Sequence, residues 1–321
     1  MKKYPNLTLK GITRIASPLF SLALFGVSIW AIYDQLHQYR LGEVVQSVRD
    51  IPIRQGLLAF GLMLLNCGLM TCYDTLAVRY LRQSVTYRKM AFAAIVSSVI
   101  SNNVGFALLA NSALRYRFYS TWGLTPMQVA QIIAFCNVSY GLGQMTVGGV
   151  VFWVEPISVP KILHFPISIH LLGAGCLAVV ASYLIASAFS QKSLRLWKWR
   201  IPHLPLKISI AQITISSLDW VIAAGIFYVL LPSSTALSYS ACLGVYLLAQ
   251  AAGVVSNVPG GLGVFETVML LLLSPSVGSS KLIGALLAFR GIYNFIPLGM
   301  SVLAFGLYEL RRNITQSTHK I

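Results

Sequence analysis

The chain has 321 residues, of which 56% are hydrophobic and 10% are charged, and its mean hydropathy is +0.73. A soluble domain carries about 25% charged residues, so this composition excludes a soluble globular protein, a disordered chain and a disulfide scaffold. Long apolar runs also argue against a transmembrane β-barrel, whose strands alternate polar and apolar residues. The sequence therefore predicts an all-α polytopic membrane protein with a single transmembrane domain over residues 1–321.

The charge balance indicates how the chain sits in a membrane. There are 24 Lys and Arg residues against 8 Asp and Glu residues, which gives a formal net charge of +16. The basic residues fall in short segments between apolar runs, as in cytoplasmic loops that obey the positive-inside rule. We therefore expect contact with an anionic inner leaflet and no nucleic-acid partner. The five cysteines form no C-x-x-C pair and receive no metal or redox role, and no cofactor is expected.

The apolar segments predict the spans in chain order. The first run follows Lys2, Lys3, Lys10 and Arg14 and reaches about Tyr33. No A-x-A cleavage site follows it, so it is interpreted as an uncleaved first span rather than a signal peptide. Further apolar segments lie near residues 56–78, 91–114, 127–154, 168–190, 208–231, 239–257, 264–274 and 282–308.

Two of these stretches are interrupted by polar residues and glycines. Ser101, Asn102, Asn103 and Gly105 break the first stretch, and a Pro-Gly-Gly-Leu-Gly run breaks the stretch from 239 to 274. If residues 91–114 crossed the membrane fully, several later basic clusters would face outside, against the positive-inside rule. The stretch is therefore predicted to be a re-entrant hairpin from the inner face, with arms of about 11 residues.

The same reasoning predicts that residues 239–274 enter and leave from the outer face. The result is about six full transmembrane helices plus two opposed re-entrant or broken helical hairpins, near 91–114 and 239–274. The N- and C-termini are then both cytoplasmic. Opposed broken helices are typical of inverted-repeat transporters, which build a site near the bilayer midplane, so an inverted repeat is expected.

Charged side chains inside apolar runs indicate the candidate site, because each costs about 2.5–3.5 kcal/mol near the bilayer centre. Glu266 is predicted to lie in the first turn of a short helix that starts near Gly263, where it either complements the positive helix end or binds a head group or cation. Arg290 either forms an ion pair with Glu266 or Asp219, or captures a lipid phosphate. Asp219 lies mid-span on a partly polar stripe. A structural role for Asp74, such as an ion pair with a loop arginine, is the favoured interpretation.

A basic and aromatic segment, Arg115-Tyr116-Arg117-Phe118-Tyr119, follows the first hairpin. It is either an interfacial anchor or a clamp for anionic head groups. The clamp is favoured because neutral hydrogen-bonding residues precede it. The predicted substrate-binding residues are Arg115, Arg117, Asn102, Asn103, Asp219, Gly260, Gly261, Glu266, Arg290 and Tyr293.

Enzyme motifs are missing from the sequence. There is no H-E-x-x-H, no G-x-S-x-G with a partner histidine and no G-x-x-x-x-G-K-[ST] loop for a nucleotide. The Gly260–Gly263 run is not a dinucleotide fingerprint, because no strand is predicted before it. We therefore expect no enzyme activity, and any transport would use an ion gradient or run downhill.

Five motifs carry a family resemblance. They are Tyr73-Asp74, Arg115-Tyr116-Arg117-Phe118-Tyr119, Ser216-Ser217-Leu218-Asp219-Trp220, Val258-Pro259-Gly260-Gly261-Leu262-Gly263-Val264-Phe265-Glu266 and Ala288-Phe289-Arg290-Gly291-Ile292-Tyr293. From about Leu57 to Tyr308 the chain resembles the transmembrane flippase region of bacterial lysylphosphatidylglycerol synthases (multiple peptide resistance factor), and most of all its stand-alone, YbhN-like inner-membrane members.

This resemblance implies a lipid-handling protein of the bacterial cytoplasmic membrane. It also implies functional roles for Arg115, Arg117, Asp219, Glu266 and Arg290. Because the sequence ends at residue 321, we expect no soluble aminoacyl-transferase domain, and the synthase activity is not carried over.

The leading hypothesis is a phospholipid translocase that moves an anionic or aminoacylated phospholipid between leaflets. An ion-coupled carrier of a small polar solute is the first alternative, and it would need a cavity sealed from lipid. A non-transporting scaffold for lipid-modifying enzymes is the second. Membrane phospholipids are the expected partners, and the sequence leaves a homo-oligomer open.

Overall fold

A computed structural model describes residue 49 and residues 51–103, 107–154, 168–189, 194–196, 199–201, 204–232, 237–256 and 259–318. The predicted first span, up to about Tyr33, lies outside these residues, as do Gly105 and Val258. In the described part the chain is helical apart from one small hairpin, in which strands β1 (Leu194–Leu196) and β2 (Trp199–Ile201) pair antiparallel.

Two short segments within the helical part of the chain are not α-helical. A 3₁₀ turn at Pro259–Gly261 and a π-helical segment at Arg290–Phe295 interrupt the α-helical pattern near the candidate site. The helices are α1 (Ile53–Tyr80), α2 (Tyr87–Asn103), α3 (Ala107–Thr121), α4 (Pro126–Val154), α5 (Ile169–Phe189), α6 (Leu206–Val229), α7 (Tyr239–Ser256), α8 (Val264–Val277), α9 (Ser279–Phe289) and α10 (Ile296–Thr318).

Several helices are long and apolar enough to cross a bilayer. Within the described ranges these are α1, α5, α6, α7 and the continuous stretch Lys281–Arg312, which contains most of α9, the π-helical segment and much of α10. Helix α4 has 29 residues and no charged side chain. At 1.5 Å per residue it is about 43 Å long, which exceeds a hydrocarbon core of about 30 Å. The prediction of an all-α, multi-pass membrane protein is confirmed.

Both helix breaks that the sequence predicts are present. Helix α2 ends at Asn103 and α3 begins at Ala107, while α7 ends at Ser256 and α8 begins at Val264. In each case the two helices pack against each other. With 17 and 15 residues, α2 and α3 are about 26 and about 23 Å long, so the arms are longer than predicted. Re-entrant insertion from opposite faces and the inverted repeat stay predictions.

The helices bury polar residues and expose apolar ones. Asn66, Ser139 and Gln212 are at most 2% exposed, whereas Leu64 and Leu303 are at least half exposed. This inside-out distribution suits a bundle that is surrounded by lipid, because an unpaired polar group in hydrocarbon is costly. The long helices therefore turn their polar faces toward one another.

Packing brings both helix breaks to the middle of the bundle. Helix α1 packs against α2, α4 and α6, and α2 contacts both α10 and the Pro259–Gly261 turn. Helices α4 and α6 approach so closely at Gly143 that a Cβ atom there would lie 2.5 Å from the backbone of Ser216. Small residues permit such approaches between membrane helices. The end of α2 thus meets the glycine-rich turn before α8.

Candidate functional site

A cavity of about 490 Å³ lies among α1, α2, α3, α4, α6, α7 and the π-helical segment, beside the glycine-rich turn. Phe265 and Phe289 form an aromatic part of its wall. The polar and charged side chains that line it are Tyr73, Ser98, Asn102, Asn111, Arg115, Asn137, Tyr140, Asp219, Gln250, Arg290, Tyr293 and Asn294. A polar interior of this size in an apolar bundle can hold a polar ligand.

The cavity reaches the apolar surface of the bundle. Two of its lining residues, Leu109 on α3 and Val254 on α7, are 67% and 66% exposed. The rim at this point is therefore formed by aliphatic side chains, while the interior is polar. Among the residues that the structure describes, none seals the cavity from the apolar surface at this rim.

The glycine-rich turn positions one ion pair at the cavity wall. Gly260, Gly261 and Gly263 have φ angles of 61°, 63° and 75°, which only glycine adopts without strain. Glu266 then lies in the first turn of α8, where its Oε2 accepts a hydrogen bond of 2.9 Å from the Gly263 backbone N–H. Its Oε1 accepts a hydrogen bond of 2.6 Å from Nε of Arg290.

Two nitrogens of Arg290 donate hydrogen bonds that fix the side chain, and the third has no partner in the described residues. Nη1 donates to the Gly260 carbonyl at 2.8 Å, and the guanidinium lies 5.3 Å from the centre of the Phe265 ring. Nη2 is buried and has no hydrogen-bond partner among the residues that the structure describes. Oδ1 of Asn294, a residue that also lines the cavity, is likewise buried without a hydrogen-bond partner among the described residues. A buried unpaired donor carries a desolvation penalty that a ligand oxygen would relieve.

A second ion pair joins α1 to α3. Arg115 donates to both carboxylate oxygens of Asp74, with Nη2 2.7 Å from Oδ2 and Nε 3.1 Å from Oδ1. The Tyr119 hydroxyl donates to Oδ1 at 2.7 Å, and Arg115 also donates to Asn111. Asp74 is fully buried and Arg115 is 3% exposed. Asp74 thus pairs with an arginine, but that arginine lies within helix α3 rather than in a loop.

Asp219 is held by neutral groups. Its Oδ2 accepts a hydrogen bond of 2.9 Å from the Tyr73 hydroxyl, and its Oδ1 accepts one of 2.8 Å from the Asn66 amide. The Asn66 amide also donates to the Asp219 backbone carbonyl at 3.0 Å, and its Oδ1 accepts from the Tyr293 hydroxyl at 3.2 Å. Asn66 and Asp219 lie about half way along their helices, so this network is near the centre of the spans.

The structure brings most of the predicted site residues to one cavity. Asn102, Arg115, Asp219, Gly260, Gly261, Arg290 and Tyr293 line it. Asn103 lies next to the wall and accepts a hydrogen bond of 3.2 Å from Asn294. Glu266 is not a lining residue but forms an ion pair with Arg290, which is one. Arg117 is not at the wall but forms an ion pair of 2.7 Å with Glu309 on α10.

Several wall residues were not among the predicted ones. Tyr73, Asn137, Tyr140, Gln250 and Asn294 line the cavity. The predicted residues were mainly ionisable side chains in apolar runs and residues at the two helix breaks. An amide in the middle of an apolar run, such as Asn137 or Gln250, is a weaker signal of the same kind and would have found two of them.

Buried charges around a polar cavity are typical of multi-pass proteins that handle a polar ligand inside the bilayer. The family described as "Lysylphosphatidylglycerol synthase TM region" matches residues 17–300. The chain belongs to this family, which confirms the resemblance noted from its motifs.

Three relatives show how much of each protein this chain corresponds to. An uncharacterized protein of Synechocystis sp. is 45% identical over 310 residues, which are 96% of either chain. The inner membrane protein YbhN of Escherichia coli is 30% identical, over 83% of this chain and 84% of YbhN. A phosphatidylglycerol lysyltransferase of Staphylococcus haemolyticus is 23% identical over 89% of this chain but over only 33% of the lysyltransferase.

Proposed function

We propose that this protein is a phospholipid translocase that moves an anionic or aminoacylated phospholipid between the leaflets of a bacterial cytoplasmic membrane. The observation that carries the proposal is the charge-lined cavity with an aliphatic rim at Leu109 and Val254. A phospholipid has the matching distribution, with a polar head group joined to apolar tails. The head group would occupy the cavity while the tails stay at the rim, in lipid.

The lipid phosphate is assigned to Arg290. Guanidinium groups bind phosphate oxygens through strong, charge-assisted hydrogen bonds. Arg290 lines the cavity wall, and its Nη2 is a buried donor that has no partner in the described part of the chain, so a phosphate oxygen there would complete its hydrogen bonding. The other donors of Arg290 are engaged by Glu266 and Gly260, which fixes the plane of the guanidinium.

Further residues are proposed to guide and hold the head group. Arg115 and Asn102 line the α2–α3 side of the cavity. Gly260 and Gly261 let the backbone approach the ligand closely, and Tyr293 adds a hydroxyl at the wall. Arg117 is paired with Glu309 outside the cavity wall, so its proposed contribution is limited to attracting anionic head groups at the membrane surface.

The relatives support a lipid-related role in an inner membrane. Two of them are named as an inner membrane protein and a phosphatidylglycerol lysyltransferase. The chain matches about a third of the lysyltransferase, so aminoacyl transfer is not part of the proposal, and we propose transport without catalysis. The N- and C-termini are proposed to be cytoplasmic, as the positive-inside rule predicts.

The proposal is tested by leaflet-resolved transport in proteoliposomes. Purified protein is reconstituted with a fluorescent phosphatidylglycerol, and a membrane-impermeant quencher reports the lipid that reaches the outer leaflet. Replacing Arg290 with alanine removes a charge-assisted hydrogen bond worth about 1.5–3 kcal/mol, which is roughly tenfold to hundredfold in affinity. We expect a transport rate lowered to that extent at limiting lipid.

Two further variants make the result interpretable. The exposed Arg88→Ala variant removes an arginine far from the cavity wall and is expected to transport like the wild type. The double variant Arg290→Gln with Glu266→Gln removes the site charge without leaving Glu266 unpaired, and it is expected to be as slow as Arg290→Ala. A wild-type rate no higher than that of empty liposomes, or full transport by the double variant, refutes the proposal.

A further inference from the structure

Among the residues that the structure describes, the buried charged side chains are three carboxylates and two guanidinium groups. The guanidinium groups are both committed, Arg115 to Asp74 and Arg290 to Glu266. Asp219 is 4% exposed and has no cationic partner within the described ranges. With every carboxylate ionised, the polar centre of the bundle therefore carries one net negative charge, and Asp219 is its source.

Among the described residues, the surroundings of Asp219 offer hydrogen bonds but no counter-charge. The titratable groups that interact with it electrostatically come from α1, α4, α7 and the π-helical segment. They are thiol and phenol groups, which are neutral at pH 7. These groups are Cys67, Tyr73, Tyr140, Tyr246 and Tyr293.

An anionic head group in the same cavity would create a conflict of like charges. Asp219 and Arg290 line one cavity, so a phosphate at Arg290 adds a second uncompensated negative charge to the centre. Like charges repel strongly where the effective dielectric constant is low. Uptake of one proton by the carboxylate removes the repulsion, and Asp219 is the carboxylate whose ionised form no arginine stabilises.

The hydrogen-bond geometry accommodates this proton at one particular oxygen. Oδ1 faces the side-chain nitrogen Nδ2 of Asn66, which can only donate. Oδ2 faces the Tyr73 hydroxyl, which donates to the carboxylate but accepts equally well. A proton on Oδ2 would therefore reverse the hydrogen bond with Tyr73 rather than break it. Tyr73 and Asp219 both line the cavity, so water in the cavity can deliver the proton.

We propose that Asp219 binds a proton when an anionic head group occupies the cavity and releases it when the head group leaves, so that lipid translocation is coupled to protons. The inference rests on the proposed translocase function. It assigns to Asp219 a role separate from phosphate binding at Arg290.

The first test measures proton uptake and needs no transport. The purified full-length protein is placed in detergent with little buffer and a pH indicator, and water-soluble dihexanoyl phosphatidylglycerol is added over a range of starting pH values. We expect uptake of up to about one proton per chain at the most responsive pH. Dihexanoyl phosphatidylcholine, which has no net charge, is expected to cause no comparable uptake.

Two variants assign the proton to its residue. Asp219→Asn is expected to abolish the uptake, and lipid binding by this variant is measured in the same titration. Glu309→Gln, which removes a carboxylate that lies at Arg117 rather than at the cavity wall, is expected to retain it. Infrared difference spectra on lipid addition should show the carbonyl band of a protonated carboxylic acid in the wild type, and that band should be absent from Asp219→Asn. If Asp219→Asn does not fold, Tyr73→Phe must shift the band.

The outcomes separate this inference from the function on which it rests. Binding of phosphatidylglycerol without proton uptake at any pH overturns the coupling and leaves the translocase proposal standing. Uptake that persists in Asp219→Asn, or a carbonyl band unaffected by both variants, also overturns it. A protein that binds no phosphatidylglycerol at all refutes both.

Discussion

Replacing Asp74 with asparagine is expected to destabilise the bundle strongly, because it leaves the buried guanidinium of Arg115 without its counter-charge. Removing one partner of a buried ion pair typically costs about 3–5 kcal/mol. The Asp74–Arg115 pair meets this condition, since the two side chains are 0% and 3% exposed and 2.7 Å apart. Weakening of the Tyr119 hydrogen bond adds about 1 kcal/mol.

The chain contains a matched comparison pair. Arg117 and Glu309 are also 2.7 Å apart, but their side chains are 9% and 16% exposed. Pairs that retain access to solvent contribute about 0–1 kcal/mol, so Glu309→Gln is expected to cost about 1 kcal/mol or less. Because the ion-pair distances are equal, the difference between the two variants reports burial together with the Tyr119 hydrogen bond that Asp74 accepts.

The assay is reversible unfolding of the purified protein in mixed micelles, followed by tryptophan fluorescence as the denaturing detergent is increased. The double variant Asp74→Asn with Arg115→Gln removes both charges together and is expected to be more stable than Asp74→Asn alone. Equal losses for Asp74→Asn and Glu309→Gln would refute the reasoning. A double variant whose loss of stability relative to the wild type equals the sum of the losses of the two single variants would refute it as well.

Glycine substitutions test the helix break and the packing of the spans with the same unfolding assay. Gly263→Ala is expected to cost about 1–2 kcal/mol from its positive φ alone, and Gly261→Ala is expected to cost more, because its Cβ would also lie 3.3 Å from the Gly253 Cα. Gly143→Ala is expected to cost about 1–3 kcal/mol, because the new Cβ would lie 2.5 Å from the backbone of α6. Gly141→Ala on the same helix meets no atom within 4 Å and should cost nothing, so equal losses at the two positions would contradict the packing.

The sequence predicted the helices and their breaks because those features depend on local chemistry. Apolar runs of sufficient length specify spans, and a Pro-Gly-Gly-Leu-Gly run cannot continue an α-helix. The exact lengths of α2 and α3 were missed, because helix continues through the polar residues up to Asn103. The π-helical segment at Arg290 was also missed, since its single glycine, Gly291, is tolerated within an otherwise helical pattern.

The sequence predicted which charged residues form the site better than it predicted which of them pair with one another. Charge in an apolar run marks Asp74, Asp219 and Arg290 wherever the helices pack. Which cation neutralises which carboxylate depends on the arrangement of helices. Arg115 lies 41 residues from Asp74, and Arg290 lies 24 residues from Glu266. Neutral partners such as Asn66, which reaches Asp219 across 153 residues, have no distinctive sequence signal.

The pairing of Arg290 with Glu266 bears on how a translocase can release its lipid. A guanidinium without a counter-charge in a low-dielectric cavity would hold a phosphate tightly, and a transport site must bind its substrate weakly enough to let it leave. Glu266 neutralises the positive charge and leaves Nη2 as a directional donor. In the proposed mechanism the phosphate is recognised by hydrogen-bond geometry more than by net charge. The glycine-rich turn sustains that geometry, because it places both Gly260 and Glu266 against the same arginine.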